Sequence, residues 1–102
     1  MIPDTVLDEV ARRFSLLGDP TRLRVVRALH DRGECSVQEV AETAGTTLAN
    51  ASQHLARLHA SGMVMRRRDG KSVRYRIADP TIEALCRTVC DSIVDRARTL
   101  SA

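Results

Sequence analysis

Three cysteines carry the most distinctive side-chain chemistry of this sequence, and two of them stand four residues apart in "CRTVC", from Cys86 to Cys90. On a helix, side chains at this spacing lie on one face about one turn apart, so both thiols can reach a single ion. Thiolates bind soft ions such as arsenite, cadmium and lead. Cys86 and Cys90 are therefore candidate metal or metalloid ligands, and Cys35 is the candidate third ligand of a trigonal site.

A second interpretation makes the same cysteines packing residues. Cys86 falls within the apolar stripe of the last predicted helix, where cysteine behaves as a small hydrophobic side chain. Cys90 lies at the edge of that stripe, where burial alone favours alanine or leucine at least as much as cysteine. The residues by themselves leave both interpretations open.

Short polar side chains are concentrated at the start of a second segment, "TTLANASQHLAR". On a helix that enters the major groove of DNA, Asn50 or Gln53 suits a bidentate contact to adenine, and hydroxyl groups suit phosphates or bases. The small Ala49 permits close approach. The alternative is the solvated side of an ordinary amphipathic helix. The candidate DNA-contacting residues of this segment are Thr46, Thr47, Ala49, Asn50, Ser52, Gln53, His54 and Arg57.

Positive charge is concentrated from the end of this segment onwards. Residues 57–76 hold seven basic side chains and one acidic side chain, a net charge of +6, so the other 82 residues together carry −3. A basic cluster on a slightly acidic body is typical of a phosphate-contacting surface, and a solvated pair of strands explains such clustering less well. The candidate phosphate contacts after the helix are Arg66, Arg67, Arg68 and Lys71.

Apolar periodicity and capping residues predict the elements that position these groups. A first helix covers residues 3–17, and four more begin after caps. "MVMRRRDGKSVRYRI" predicts two strands joined by a tight turn at Asp69-Gly70, with one buried and one basic face. Phe14 and Tyr75 are expected in the core. The predicted caps are Asp19, Ser36, Thr46 or Thr47, and Asp79.

The bulk composition predicts one small cytoplasmic domain over residues 1–102. Apolar residues make up 43% of the chain and charged residues 28%, and there is neither a long apolar run for a membrane span nor a basic, apolar leader at the N-terminus. No nucleophile paired with a base, no carboxylate pair and no phosphate-binding glycine loop is present, so an enzyme is not expected. No cofactor is expected to be required.

Two short helices joined by a tight turn and followed by a basic hairpin follow the order of a winged helix-turn-helix. The sequence resembles the ArsR/SmtB bacterial repressors over roughly Val10 to Ile93, in "LGDPTRLRVVRAL", "SVQEVAETAG" and "ASQHLARLHASGMVMRRRDGKSVRYRI". The resemblance implies a mainly helical fold with a small β-hairpin wing. It also implies a homodimer, formed by the N- and C-terminal helices, that binds a palindromic double-stranded DNA operator and leaves it when an inducer binds.

The resemblance excludes two inducer sites and permits a third. Zinc- and nickel-binding members use histidines on the last helix, whereas Thr81 and Ser92 stand at those positions here. Members that bind arsenic, cadmium or lead often use a Cys-x-Cys pair where this chain has Ser36 and Gln38. Some arsenic-sensing members place cysteines on the last helix, as this chain does. Leu48 replaces the Gln or Ser of many members, which leaves the operator sequence open.

The resemblance also keeps a redox switch as an alternative. Some members respond to persulfide or oxidant by linking a cysteine of helix two to one of the last helix, and Cys35 lies just past helix two. A bond between Cys35 and either Cys86 or Cys90 is therefore the alternative switch. A bond between Cys86 and Cys90 within an intact helix would be strained.

Overall fold

The computed structural model describes residues 1–101 and forms, within that range, five helices and three strands. The helices are α1 (Asp4–Leu17), α2 (Pro20–Arg32), α3 (Val37–Ala44), α4 (Leu48–Ala60) and α5 (Pro80–Ser101). The strands are β1 (Cys35–Ser36), β2 (Val64–Asp69) and β3 (Ser72–Ile77). The predicted mainly helical architecture with a hairpin wing is confirmed.

Side-chain caps fix where the central helices begin. The Asp19 carboxylate accepts a hydrogen bond from the Arg22 backbone N–H at 2.9 Å, with Pro20 at the first helical position. Ser36 and Glu39 form a reciprocal capping box at the start of α3. Gly45 ends that helix with φ +69°, in the left-handed region that glycine tolerates best. These helix boundaries were predictable because each of them is encoded by a local residue type.

The core lies between α2, α3, α4 and the inner face of the sheet. α4 contributes Ala51, Leu55 and Leu58, each 0% exposed and spaced as one helical stripe. Burying this stripe turns the opposite side of α4 towards solvent. The orientation of the polar side of α4 therefore follows from the packing of its apolar side.

The sheet contains one strand that the periodicity did not predict. β1 is only two residues long and pairs antiparallel with β3, with Cys35 opposite Tyr75 and Ser36 opposite Arg74, so the strand order is β1-β3-β2. A two-residue strand carries no alternation of apolar and polar positions, and its pairing is set by the tertiary fold.

The hairpin turn also differs from the prediction. Asp69 pairs with Ser72, so the two residues between the strands are Gly70 and Lys71, and Asp69 is the last residue of β2. Gly70 has φ +63°, and no residue type other than glycine has a positive φ in the described part of the chain. Glycine with positive φ at the first central position alone is the pattern of a type II′ turn.

Large apolar side chains remain exposed on α1 and on the second half of α5. Phe14 was expected in the core, but 54% of it is exposed, because α1 packs mainly against α2 and presents its other side to solvent. We call this exposed set the α1/α5 apolar surface. Its members are Val6, Leu7, Val10, Phe14, Val89, Ile93, Val94 and Leu100.

None of the helices in residues 1–101 combines the length and the apolar character that crossing a membrane requires.

Replacing Leu55 by alanine is expected to destabilise the fold by about 2–5 kcal/mol, because it leaves a cavity at a fully buried position of α4. Chemical denaturation monitored by circular dichroism measures this free energy of unfolding. Gln53→Ala, on the exposed side of the same helix, is the matched control and should change stability little. Equal stabilities of the two variants would contradict the assignment of Leu55 to the core.

Candidate DNA-binding surface and thiol groove

The outward side of α4 presents the polar side chains that the sequence singled out. Thr47 caps the helix: its hydroxyl oxygen accepts a hydrogen bond from the Asn50 backbone N–H at 3.1 Å. The Thr47 hydroxyl proton is still available to donate to a phosphate. Thr46 is half-buried. The exposed members of the predicted set on this helix and its cap are Thr47, Ala49, Asn50, Ser52, Gln53 and Arg57.

His54 is the member of the set that also serves the fold. Its Nδ1 accepts a hydrogen bond from the Nε of Arg22 at 3.3 Å, which leaves Nε2 as the protonated nitrogen of the neutral ring. Arg22 is itself only 7% exposed and donates a second hydrogen bond to the Leu16 carbonyl at 2.7 Å. Arg22 therefore joins the end of α1 to the middle of α4.

Arg22 is a structural residue that the sequence reasoning missed. An arginine near the start of a helix ordinarily faces solvent, and nothing in the spacing of the apolar residues of α2 indicated a buried guanidinium. The signal that was available is its position: it lies three residues after the cap Asp19, within the first turn of α2.

The two strands of the wing sort its basic side chains onto opposite faces. Directly opposed residues of an antiparallel pair share a face. Arg66 opposes the buried Tyr75, and Arg68 opposes Val73, so both arginines lie on the core-side face. Arg67 opposes Arg74 on the outer face.

Acidic residues neutralise much of the outer face. The Glu34 carboxylate accepts two hydrogen bonds from Arg67, at 2.5 and 3.1 Å, and lies 3.3 Å from the Nε of Arg74. Arg74 also pairs with Glu39 at 3.2 Å, and Glu39 pairs with Arg32 at 2.7 Å. The hydrogen bonds from Arg67 hold the pKa of Glu34 below its usual value, and the charge of Arg74 acts in the same direction. Glu34 is a functional candidate that the sequence reasoning missed.

The other basic candidates remain unengaged. Within residues 1–101, the side chains of Arg57, Arg66, Arg68 and Lys71 form no hydrogen bond or ion pair, and all four are exposed. Of the basic residues predicted to contact phosphate, only Arg67 is held by a carboxylate within that range. The candidate DNA-binding surface is therefore the polar side of α4 together with these four free cations.

Cys86 and Cys90 both line an open groove of about 380 Å³ between α2 and α5. Cys86 is half-buried and Cys90 is exposed. Burial raises the pKa of the Cys86 thiol, and the neighbouring Cys90 raises it further.

Cys35 differs from the two groove cysteines in its surroundings. It is 0% exposed, sits on the core face of β1 and places its sulfur 4.0 Å from the Ala28 carbonyl oxygen. Burial raises the pKa of the Cys35 thiol, as it does for Cys86. No group of three His, Cys, Asp or Glu side chains that could hold a metal occurs in the part of the chain described, so the predicted three-cysteine site is not assembled within one chain. All three cysteines are free thiols.

Asp79 has a structural role at the start of α5. Its carboxylate accepts hydrogen bonds from the Thr81 backbone N–H at 3.0 Å and from the Thr81 hydroxyl at 2.6 Å. Its other oxygen accepts a hydrogen bond from Arg13 at 2.6 Å, which ties α1 to α5. The hydrogen bonds from Thr81 lower the pKa of Asp79, and the nearby Arg13 contributes in the same direction.

Comparison with known proteins identifies the family. A family model described as a helix-turn-helix domain matches residues 17–67, which is half of the chain. A probable mercury resistance operon repressor from Streptomyces lividans is 42% identical over 84 residues, covering 82% of this chain and 66% of that protein. The chain spans only 58–66% of the length of the first curated relatives it matches.

Solved structures agree in fold over nearly the whole chain. An antimony-specific transcriptional repressor superposes with a TM-score of 0.87 at 28% identity, covering 96% of this chain and 88% of the other. A homodimeric winged helix-turn-helix DNA-binding domain from Mycobacterium bovis, described as a possible ArsR-family regulator, superposes with a TM-score of 0.78 at 33% identity, covering 91% and 88%. The names of all three proteins describe repressors or regulators of transcription. The chain belongs to the ArsR/SmtB family of winged helix-turn-helix transcriptional repressors.

Proposed function

We propose that two copies of this chain form a dimeric repressor that binds a palindromic operator and leaves it when a soft metal or metalloid ion binds to Cys86 and Cys90. The observation that carries the DNA-binding part is the exposed polar side of α4 beside four unpaired cations. In this proposal α4 lies in the major groove, with Asn50 and Gln53 towards the bases. The backbone phosphates are contacted by Arg57, Arg66, Arg68 and Lys71.

The α1/α5 apolar surface supports the dimer. Arg13 of α1 pairs with Asp79, the residue before α5, so the two helices meet at that point. Large exposed apolar side chains grouped on two helices of a small domain mark an interaction surface. A dimer places two copies of α4 on one side of the molecule, as recognition of a palindrome requires.

The pair of last-helix thiols supports the soft-ion inducer. Cys86 and Cys90 stand about one turn apart on α5 and both line the open groove. Relatives named for mercury resistance and for antimony point to thiophilic elements, which favours the same chemistry here. Arsenite, cadmium and lead are the ions proposed from the sequence. A site on α5 next to the dimer surface can change the spacing of the two recognition helices when it fills.

The redox alternative has less support. It requires Cys35 as one partner, and Cys35 is 0% exposed in the core. The soft-ion proposal needs only the two thiols that line the open groove.

Phe14→Asp is expected to convert the dimer to a monomer, because it places a charge on the α1/α5 apolar surface. Analytical ultracentrifugation of the full chain measures the change. Met65→Asp, which alters a comparably exposed apolar residue on β2, is the matched control and should stay dimeric. A Phe14→Asp variant that sediments as a dimer would place the interface elsewhere.

Arg66→Gln is expected to reduce the salt dependence of DNA binding more than Arg67→Gln does, since Glu34 already compensates Arg67. Removing one phosphate contact decreases the steepness of log K against log salt by about 0.9 per protomer. Fluorescence anisotropy with a random-sequence duplex, titrated at several salt concentrations, measures the slope. A larger effect for Arg67→Gln would show that this arginine leaves Glu34 for phosphate.

Cys86→Ser and Cys90→Ser are each expected to abolish the sulfur-to-metal absorption band formed with stoichiometric cadmium or arsenite and to keep the protein on its operator fragment. In the unmodified protein, ion binding should weaken DNA affinity by roughly 5- to 150-fold, the range of typical allosteric coupling. Cys35→Ala is the matched control and should retain both the band and the release. If only Cys35→Ala lost the band, Cys35 would be the ligand and the assignment of Cys86 and Cys90 would be wrong.

A further inference from the structure

The groove between α2 and α5 holds more than the two thiols. Its volume of about 380 Å³ falls in the size range of small-molecule binding sites. Val26, on the α2 side, is buried, and Leu23 is 39% exposed, so the groove has apolar surface as well as sulfur. A ligand larger than a bare ion therefore fits beside the cysteines.

Three arginines line the same groove: Arg24 and Arg27 from α2, and Arg87 from α5. Throughout residues 1–101 their side chains form no hydrogen bond or ion pair. The carboxylate that lines the groove, Glu83, is held by the Nδ1 of His30 at 2.9 Å. The three guanidinium groups outnumber this one carboxylate, so the groove is net positive, and guanidinium groups favour carboxylate partners.

The coordination chemistry of the thiols leaves a position open. The two groove thiols leave one position of a three-coordinate arsenic without a protein sulfur. The described part of the chain contains no group of three potential ligands, and the third cysteine is buried on β1. That position is open to a retained hydroxide or to a thiol from outside the chain.

We infer that the missing ligand is a low-molecular-weight thiol carrying a carboxylate, bound with its sulfur on the ion and its carboxylate among Arg24, Arg27 and Arg87. This inference rests on the proposed soft-ion site and specifies how that site is completed. With arsenite as As(OH)₃, the two protein thiols and the external thiol each transfer one proton to a hydroxide. Three As–S bonds replace three As–O bonds and three waters leave. Arsenic stays trivalent, so no electron is transferred.

A series of three small thiols of similar size tests the inference on the unmodified protein with arsenite. Mercaptoacetate is anionic, 2-mercaptoethanol is neutral and cysteamine is cationic. Mercaptoacetate is expected to lower the arsenite concentration needed for half-saturation roughly fivefold relative to 2-mercaptoethanol, the effect of one or two partly exposed ion pairs, and cysteamine should be the least effective. Native mass spectrometry should show one arsenic and one mercaptoacetate per thiol pair.

The three thiols also differ in their intrinsic affinity for arsenite. The double variant Arg24→Gln/Arg27→Gln shows whether a preference for mercaptoacetate comes from the groove or from that difference. It should bind arsenite with all three but lose the preference for mercaptoacetate. Arg96→Gln/Arg98→Gln, which removes two arginines of α5 that do not line the groove, is the matched control and should keep the preference.

Two results would overturn the inference while leaving the soft-ion proposal intact. One is an equal preference for mercaptoacetate in both double variants. The other is an arsenite adduct that contains thiols from both protomers and no added thiol. Failure of arsenite to bind with any of the three thiols present, with no sulfur-to-arsenic absorption, would instead contradict the part of the proposed function that makes arsenite an inducer.

Discussion

The burial of one side of α4 is the constraint on which the rest of the molecule depends. Ala51, Leu55 and Leu58 are fully enclosed by α2, α3 and the sheet, so α4 cannot rotate about its axis without exposing this stripe. Such a rotation would also bury the polar side chains of Asn50 and Gln53, which have no partners in the core. The direction in which the polar side points is therefore set by hydrophobic packing and needs no contact with DNA to hold it.

The sheet places the basic residues of the wing on two different faces. Three consecutive arginines in the sequence occupy alternating faces because side chains of a strand alternate. Arg67 lies on the outer face, where it pairs with Glu34. Glu34 and Glu39 form one ion-pair network there with Arg67, Arg74 and Arg32. The arginines on either side of Arg67 fall on the face continuous with the core and remain free. A count of charge along the chain treats these arginines as equivalent, although the fold gives them different surroundings.

The sequence predicted those features that local chemistry specifies. The helix starts at Asp19 and Ser36, the end at Gly45 and the buried stripe of α4 all depend on residues within a few positions of each other. The two-residue strand at Cys35, the ion pairs of Glu34 and the buried position of Arg22 depend on partners far along the chain, so periodicity does not reveal them. The exposure of Phe14 was also not predictable from local sequence. An apolar stripe on a helix shows that the stripe will be buried, but not whether the same chain or another molecule buries it. Among the candidate sites, the spacing of Cys86 and Cys90 located the thiol groove, but it could not indicate that Cys35 is enclosed in the core.

The guanidinium group of Arg22 couples the positions of α1 and α4. It holds the last turn of α1 through the Leu16 carbonyl and the middle of α4 through His54, both with short-range, directional bonds. The guanidinium group of Arg22 thus joins α1, which carries part of the α1/α5 apolar surface, to α4, whose polar side faces outward. This group is planar and rigid. A displacement of α1 relative to α4 must break one of these partly buried hydrogen bonds, so small displacements of the two helices are expected to occur together.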